Sequence, residues 1–184
     1  MPGSWPTITP APSLLSPEEC GKLVAEVRNM KMTTLCYLER GEEYLMLHRV
    51  TKENDCNKDK WIGIGGKFEP GESPHECIRR EAMEETGLEL LDPRFRGIVT
   101  FVSDEWGTEY MFLFTCESYE GEQHSCDEGV LEWIPKKALY DLELWEGDRI
   151  FLRLLEEKHP FFSLKLEYKG ENLISAELDG VKIR

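Results

Sequence analysis

GKFEPGESPHECIRREAMEETGL, residues 66–88, is the stretch on which the reading of this chain turns. Glu81, Glu84 and Glu85 recur at spacings of three and four, so on a helix their carboxylates share one face. Like charges so placed destabilise an isolated helix. Carboxylates converging in this way suit a hard divalent cation, Mg²⁺ above all when the substrate brings phosphates. The bland alternative is a solvated acidic face, common in an acidic chain. Local signals frame the helix: Ser73 as cap, Pro74 at its first position, Glu76 closing a capping box and Gly87 as the left-handed stop. Upstream, Gly63, Gly65, Gly66 and Gly71 let backbone approach a ligand closely.

The same 23 residues match one long pattern at every fixed position. Gly66 is followed after five residues by Glu72, and after seven more by Arg80–Glu81, Ala82, Glu84–Glu85, Gly87 and Leu88. This resembles the Nudix box, the signature of hydrolases of nucleoside diphosphates linked to another moiety, and so long a motif is highly specific. The resemblance implies a loop–helix–loop with Glu81, Glu84, Glu85 and the Gly66 carbonyl as metal ligands. Glu128, in a late loop, matches an additional ligand of the family; its plain reading is an exposed loop acid. Arg80 has two readings, a phosphate contact or an internal partner that positions the glutamates, and the family favours the second. The implied cofactor is Mg²⁺, with Mn²⁺ as substitute.

Flanking residues are similar to the MutT-like, 8-oxo-dGTP diphosphatase branch. Trp61-Ile62-Gly63-Ile64-Gly65-Gly66-Lys67 resembles its WNGxGGK run, and Trp145-Glu146-Gly147-Asp148 its C-terminal part. That resemblance implies a purine pocket from Phe101, Trp145 and Asp148, the aromatics sandwiching the base and the acid reading its edge, with Ile62 and Lys67 beside the substrate. For Phe101 and Trp145 the alternative is core packing. Two departures stand out. Ile62 occupies a position where that branch has Asn, and Gly147 replaces one acid of a pair found in animal relatives.

Length and composition bound the rest. The 184 residues suit one domain with a substantial core, 40% of them hydrophobic. A net charge of −14 argues against a nucleic-acid polymer as partner and leaves a free nucleotide, carried with its cation, as the small-molecule ligand. The six cysteines form no C-x-x-C pair and no Cys/His ligand spacing, which fits a reduced, cytoplasmic setting. His48, His75, His124 and His159 show no ligand spacing either. No apolar run approaches the ~20 residues of a membrane span, and the first residues lack a signal-peptide pattern. Oligomeric state has no signature here.

Residues 1–29 read as an N-terminal extension with a helix from Ser16 to Asn29, and residues 30–184 as the catalytic domain. Strands are expected at 33–38, 44–50, 95–103, 109–117, 130–134, 161–168 and 173–178. Helices are expected on the box, briefly at 138–142, and at 145–159, with 120–129 an acidic loop. Mixed strands with two principal helices predict an α/β fold, which the resemblance sharpens to the Nudix fold, a mixed sheet sandwiched between helices. The leading function is Mg²⁺-dependent hydrolysis of a (deoxy)nucleoside triphosphate, such as 8-oxo-dGTP, to monophosphate and pyrophosphate. A second reading changes the substrate to another nucleoside diphosphate derivative or an ordinary triphosphate. A third is a non-catalytic nucleotide-binding regulatory module.

Overall fold

The computed structural model describes Ser16 and residues 30–51 and 55–184. The expected extension, with its helix from Ser16 to Asn29, lies outside the described residues apart from Ser16. The elements follow in the order β1 (Met30–Arg40), β2 (Glu43–His48), β3 (Trp61–Ile62), the glutamate helix (Pro74–Thr86), β4 (Leu88–Leu90), β5 (Arg94–Ser103), β6 (Gly107–Cys116), β7 (Tyr119–Gly121), β8 (Val130–Pro135), a 3₁₀ turn (Lys136–Asp141), the late helix (Asp148–Glu156), β9 (Phe162–Lys169), β10 (Asn172–Leu178) and β11 (Val181–Lys182). One mixed sheet runs β11-β10-β9-β5-β6-β1-β2-β3, with β8 also paired to β2. The β1–β6 and β5–β9 pairs are parallel, the others antiparallel.

Period-two alternation splits the core between the two faces of this sheet. From β1, Leu35 and Tyr37 join one cluster, which the late helix covers with Phe151, Leu152 and Leu155. Cys36 and Leu38 point the other way, into a cluster closed by Ile78 and Ala82 of the glutamate helix. The result is a helix/sheet/helix sandwich, as the α/β expectation required.

β2 pairs with β1 only at Leu38–Leu45, Glu39–Tyr44 and Arg40–Glu43, then diverges. After Trp61–Ile62 pairs with β2, the chain from Ile64 to Lys67 runs beside the vacated part of β1: Cys36 and Ile64 exchange both backbone hydrogen bonds (2.6 and 2.9 Å), and Thr34 N donates to Gly66 O (2.8 Å). Gly65 makes this possible. Its φ is +150°, and a Cβ there would collide with the Thr34 carbonyl. The glutamate helix then starts as expected: Ser73 Oγ accepts from Glu76 N, Glu76 Oε2 accepts from Ser73 N, and Gly87 ends the helix at φ 75°.

Two expectations need correction. The late helix covers Asp148–Glu156 rather than 145–159, because Trp145–Gly147 forms the turn in front of it (Asp148 N to Trp145 O, 3.1 Å) and Lys158, at φ 53°, lies beyond its end. The stretch 120–129 is not all loop: Tyr119–Gly121 pairs with Leu88–Leu90 in a separate two-stranded sheet. The strand expected at 130–134 runs to Pro135, which ends it opposite Glu43.

Replacing the reciprocal cap tests whether the helix start is locally encoded. Ser73→Ala should cost about 1 kcal/mol in urea unfolding with the m-value unchanged. A cost near zero would show that tertiary packing alone holds this helix end.

Candidate active site

A cavity of about 500 Å³ opens beside β1, β5 and β6. Gly66, Glu81, Glu85 and Glu128 line it, as do Ile62, Lys67, Phe101, Trp145 and Asp148. Arg80 and Glu84 do not.

The glutamate helix presents two of its acids to the cavity in different states. Glu85 is buried, and its Oε2 accepts from Gly65 N at 3.0 Å. Burial is the main reason its carboxyl is pushed up to about 8; the Gly65 hydrogen bond opposes the shift, and Glu128 and Glu81 reinforce it. Glu81 is also raised, again chiefly by burial. Glu84 is largely exposed and is reached by Arg80 Nη1 at 3.2 Å.

Arg80 draws this arrangement together from the solvent side. Its Nε and Nη2 grip Glu72 (2.7 and 2.9 Å), Nη1 reaches Glu81 (2.8 Å), and Nη2 also donates to the Lys67 carbonyl (3.0 Å). The hydrogen bond from Arg80 brings Glu72 down to about 2, and Arg80 itself is raised, mostly by Glu72. The guanidinium is thus spent on internal carboxylates and on the loop that carries Gly66.

On the opposite wall, Arg49 at the end of β2 holds Asp55 through Nε and Nη2 (2.9 and 2.5 Å) and Glu128 through Nη1. Burial lowers its pKa, but hydrogen bonding to Asp55 and the charges of Asp55, Glu128 and Glu85 raise it overall. Glu128 therefore reaches the cavity from a loop 43 positions beyond Glu85 in the sequence.

The donor chemistry suits a hard cation: carboxylates at Glu81, Glu85 and Glu128, and a backbone carbonyl at Gly66. Gly66 is packed so closely that a Cβ would collide with the Glu81 carboxylate, so this carbonyl and that acid can face one point. Among the described residues, no three acidic, histidine or cysteine side chains are already gathered tightly enough to enclose an ion. Arg80 holds Glu81, and Arg49 holds Glu128, as ion-pair partners.

At the other end Trp145, Phe101 and Tyr168 form an aromatic corner. Phe101 and Trp145 meet edge to face (5.8 Å, 69°), as do Trp145 and Tyr168 (5.2 Å, 78°). The two rings touch one another at a steep angle. Trp145 is only 7% exposed, and its Nε1 donates to Asn57 Oδ1 at 2.9 Å. Asp148 is equally buried, which pushes its carboxyl up to about 8 although Lys60 and Arg149 pull it down. Gly147 explains why a second acid has no place beside it. Its N–H donates to Tyr168 Oη at 2.7 Å, and a Cβ would strike Leu166 and lie 2.7 Å from that hydroxyl. Ile62 brings only hydrocarbon to the cavity.

Sequence reasoning missed Arg49, Asn57, Thr33 and Glu109, all of which line the cavity. Arg49 and Asn57 carry no local signal, because their roles depend on partners 79 and 88 positions away. Thr33 and Glu109 were legible as alternating strand positions, but not as neighbours. The histidines take ring contacts: His48 stacks on Trp61 (4.5 Å), and His75 packs edge-on to Phe114.

The model of the NUDIX domain matches residues 30–155, about two thirds of the chain. The chain belongs to the Nudix family. It is similar to the uncharacterized Nudix hydrolase YvcI of Bacillus subtilis, at 29% identity over 84% of this chain and 98% of that protein. It is also similar to the oxidized purine nucleoside triphosphate hydrolase of Danio rerio, at 27% identity over 67% of this chain and 79% of that protein. Among solved structures, the MutT protein of Bacillus halodurans superposes with a TM-score of 0.72 at 28% identity, covering 81% of this chain and 97% of that one. This Nudix hydrolase continues past the matched residues: β9–β11 extend the same sheet beyond residue 155. No helix among its described residues is long and apolar enough to cross a membrane.

Burial of Asp148 has a measurable sign. Its folded pKa of about 8 lies above the ordinary 3.8, so folding takes up a proton. The associated stability is complete below the unfolded value and is lost as pH rises through about 8. Urea unfolding of the wild type and Asp148→Asn, from about pH 5 to about pH 8.5, should show the variant gaining stability relative to the wild type as pH increases. Parallel curves would show that this carboxyl titrates normally.

Proposed function

We propose that this Nudix hydrolase cleaves a (deoxy)nucleoside triphosphate, with an oxidised purine such as 8-oxo-dGTP as the preferred base, to the monophosphate and pyrophosphate in the presence of Mg²⁺. The observation that carries the reading is one continuous cavity with carboxylates and a glycine carbonyl at one end and buried aromatics with an isolated acid at the other. The relatives named as oxidised purine triphosphate hydrolase and MutT support the same substrate class. The free cysteines, buried or half-buried along the chain, suit a reduced cytoplasmic setting.

Glu81, Glu85, Glu128 and the Gly66 carbonyl would hold the divalent cation, with Glu84 adding charge at the outer edge. When bound, the cation supplies neutralisation of phosphate charge and a lower pKa for an attacking water. In the reaction, a water oxygen bonds to phosphorus, the bridging P–O bond breaks and pyrophosphate leaves. Gly65 N–H holds Oε2 of Glu85, which directs Oε1 to take the proton from water. Arg80, gripping Glu72 and Glu81, keeps the glutamate helix and the Gly66 loop in register, a positioning role. Phosphoryl chemistry of this kind needs placed charge rather than a covalent nucleophile. Trp145 and Phe101 supply an apolar corner for the base, Asp148 reads its polar edge, and Lys67 lies beside the substrate.

Pyrophosphate release measured over a panel of nucleotides, with and without Mg²⁺, tests the reading. 8-oxo-dGTP should lead the panel, and chelation should abolish its turnover. Release from nucleoside diphosphate sugars or dinucleotides, with none from triphosphates, would move the chain to the second substrate class. Silence on every compound would favour a binding module. Glu85→Gln should lower kcat by about a hundredfold or more while the protein still folds, since metal-assisted charge stabilisation is worth several kcal/mol. A near wild-type rate in saturating Mg²⁺ would remove Glu85 from the chemistry.

A further inference from the structure

The floor of the cavity is a face of the sheet, and strand register arranges it in rows. Phe101 on β5 lies opposite Glu109 on β6, and Glu109 lies opposite Lys31 on β1. The next row on the same face is Val99, Met111 and Thr33. Lys31, Thr33, Phe101, Glu109 and Met111 all line the cavity. An aromatic ring, a carboxylate and an ammonium group thus stand side by side on one wall, at a distance from the carboxylates of the glutamate helix along the sequence and on different elements.

Glu109 is held in a particular way. Thr33, only 8% exposed, donates its hydroxyl to Glu109 Oε1 at 2.7 Å. Its register partner Lys31 forms no ion pair with it. The carboxylate is therefore fixed through a neutral donor that leaves its charge in place, and Oε2 is left to accept from something else. A charged acceptor pinned by a buried hydroxyl serves a wall that meets hydrogen-bond donors. It would repel phosphate, so it does not belong to the phosphate end of the ligand. Cross-strand neighbours lie close enough that a ring packed on Phe101 presents its edge, or its attached sugar, to Glu109.

We infer that Glu109, positioned by Thr33, is a specificity-determining residue that accepts a hydrogen bond from a donor group of the bound nucleoside. The donor is the exocyclic amine of a guanine-type base, or a sugar hydroxyl, which share this chemistry. The inference rests on the reading that the cavity takes a nucleotide, but not on hydrolysis. Asp148, at the start of the late helix, and Glu109, on β6, then read the nucleoside from separate elements. Selectivity is set by losing this contact: a site built to pair a donor discriminates strongly against an analogue that lacks it.

Calorimetric titration with nucleoside monophosphates tests this without turnover. The pairs are dGMP against dIMP, which lacks the exocyclic amine, and GMP, dGMP and dideoxy-GMP, which differ in sugar hydroxyls. The wild type should favour the donor-bearing member of one pair by about tenfold. Glu109→Gln, which keeps the shape, and Glu109→Ala should bring that ratio to within about twofold of unity. The pair that collapses identifies the donor as base or sugar. Thr33→Val should weaken the same preference and Thr33→Ser restore it, because only the hydroxyl matters to Glu109. Ratios unchanged in both Glu109 variants, or no binding of any of these nucleotides, would overturn the assignment. Absent pyrophosphate release with an intact binding ratio would instead count against the hydrolytic reading alone.

Discussion

The backbone pairing between β1 and the segment from Ile64 to Lys67 is the constraint on which the site depends. Cys36 with Ile64, and Thr34 with Gly66, place the glycine loop against the middle of the sheet at hydrogen-bonding distance. Only residues without a Cβ can sit there, since side chains at 65 and 66 would strike the Thr34 carbonyl and the Glu81 carboxylate. That contact sets where the following helix begins, and Gly65 N–H in turn fixes the Oε2 of Glu85. The candidate site is thus tied through Gly65 and Gly66 to a buried strand of the sheet.

Charge is the second organising problem in a chain with a net −14. Two arginines manage it. Arg80 binds Glu72 and Glu81 on one side of the cavity, and Arg49 binds Asp55 and Glu128 on the other. Each arginine stabilises acids that would repel one another if left alone. Between them Glu85, with no arginine of its own in hydrogen bond, carries the raised pKa that burial imposes. A divalent cation held by these carboxylates would relieve the same repulsion.

The glutamate helix was almost fully readable, because its cap at Ser73, its proline and its stop at Gly87 are interactions within a few residues. The main strands were readable to within a few residues for a similar reason, as alternation is local. The ends of the late helix were not. Trp145–Gly147 turn off the helical path because Trp145 bonds Asn57 and Gly147 bonds Tyr168, partners contributed by other parts of the fold. The β4–β7 pair was hidden for the same cause: Tyr119–Gly121 is too short to announce itself, and it becomes a strand only against Leu88–Leu90.

By itself the sequence determined the family and the order of the main elements, both of which rest on residue types at fixed local spacings. It also placed Phe101, Trp145 and Asp148 together, through resemblance. Tertiary structure decided which acids line the cavity, leaving Glu84 largely exposed while Glu81 and Glu85 line it. It decided that the aromatics meet edge to face, and that Arg49, Asn57, Thr33 and Glu109 share their cavity. Those relations join residues dozens of positions apart, and only strand register and packing, which are properties of the whole sheet, bring them to one wall.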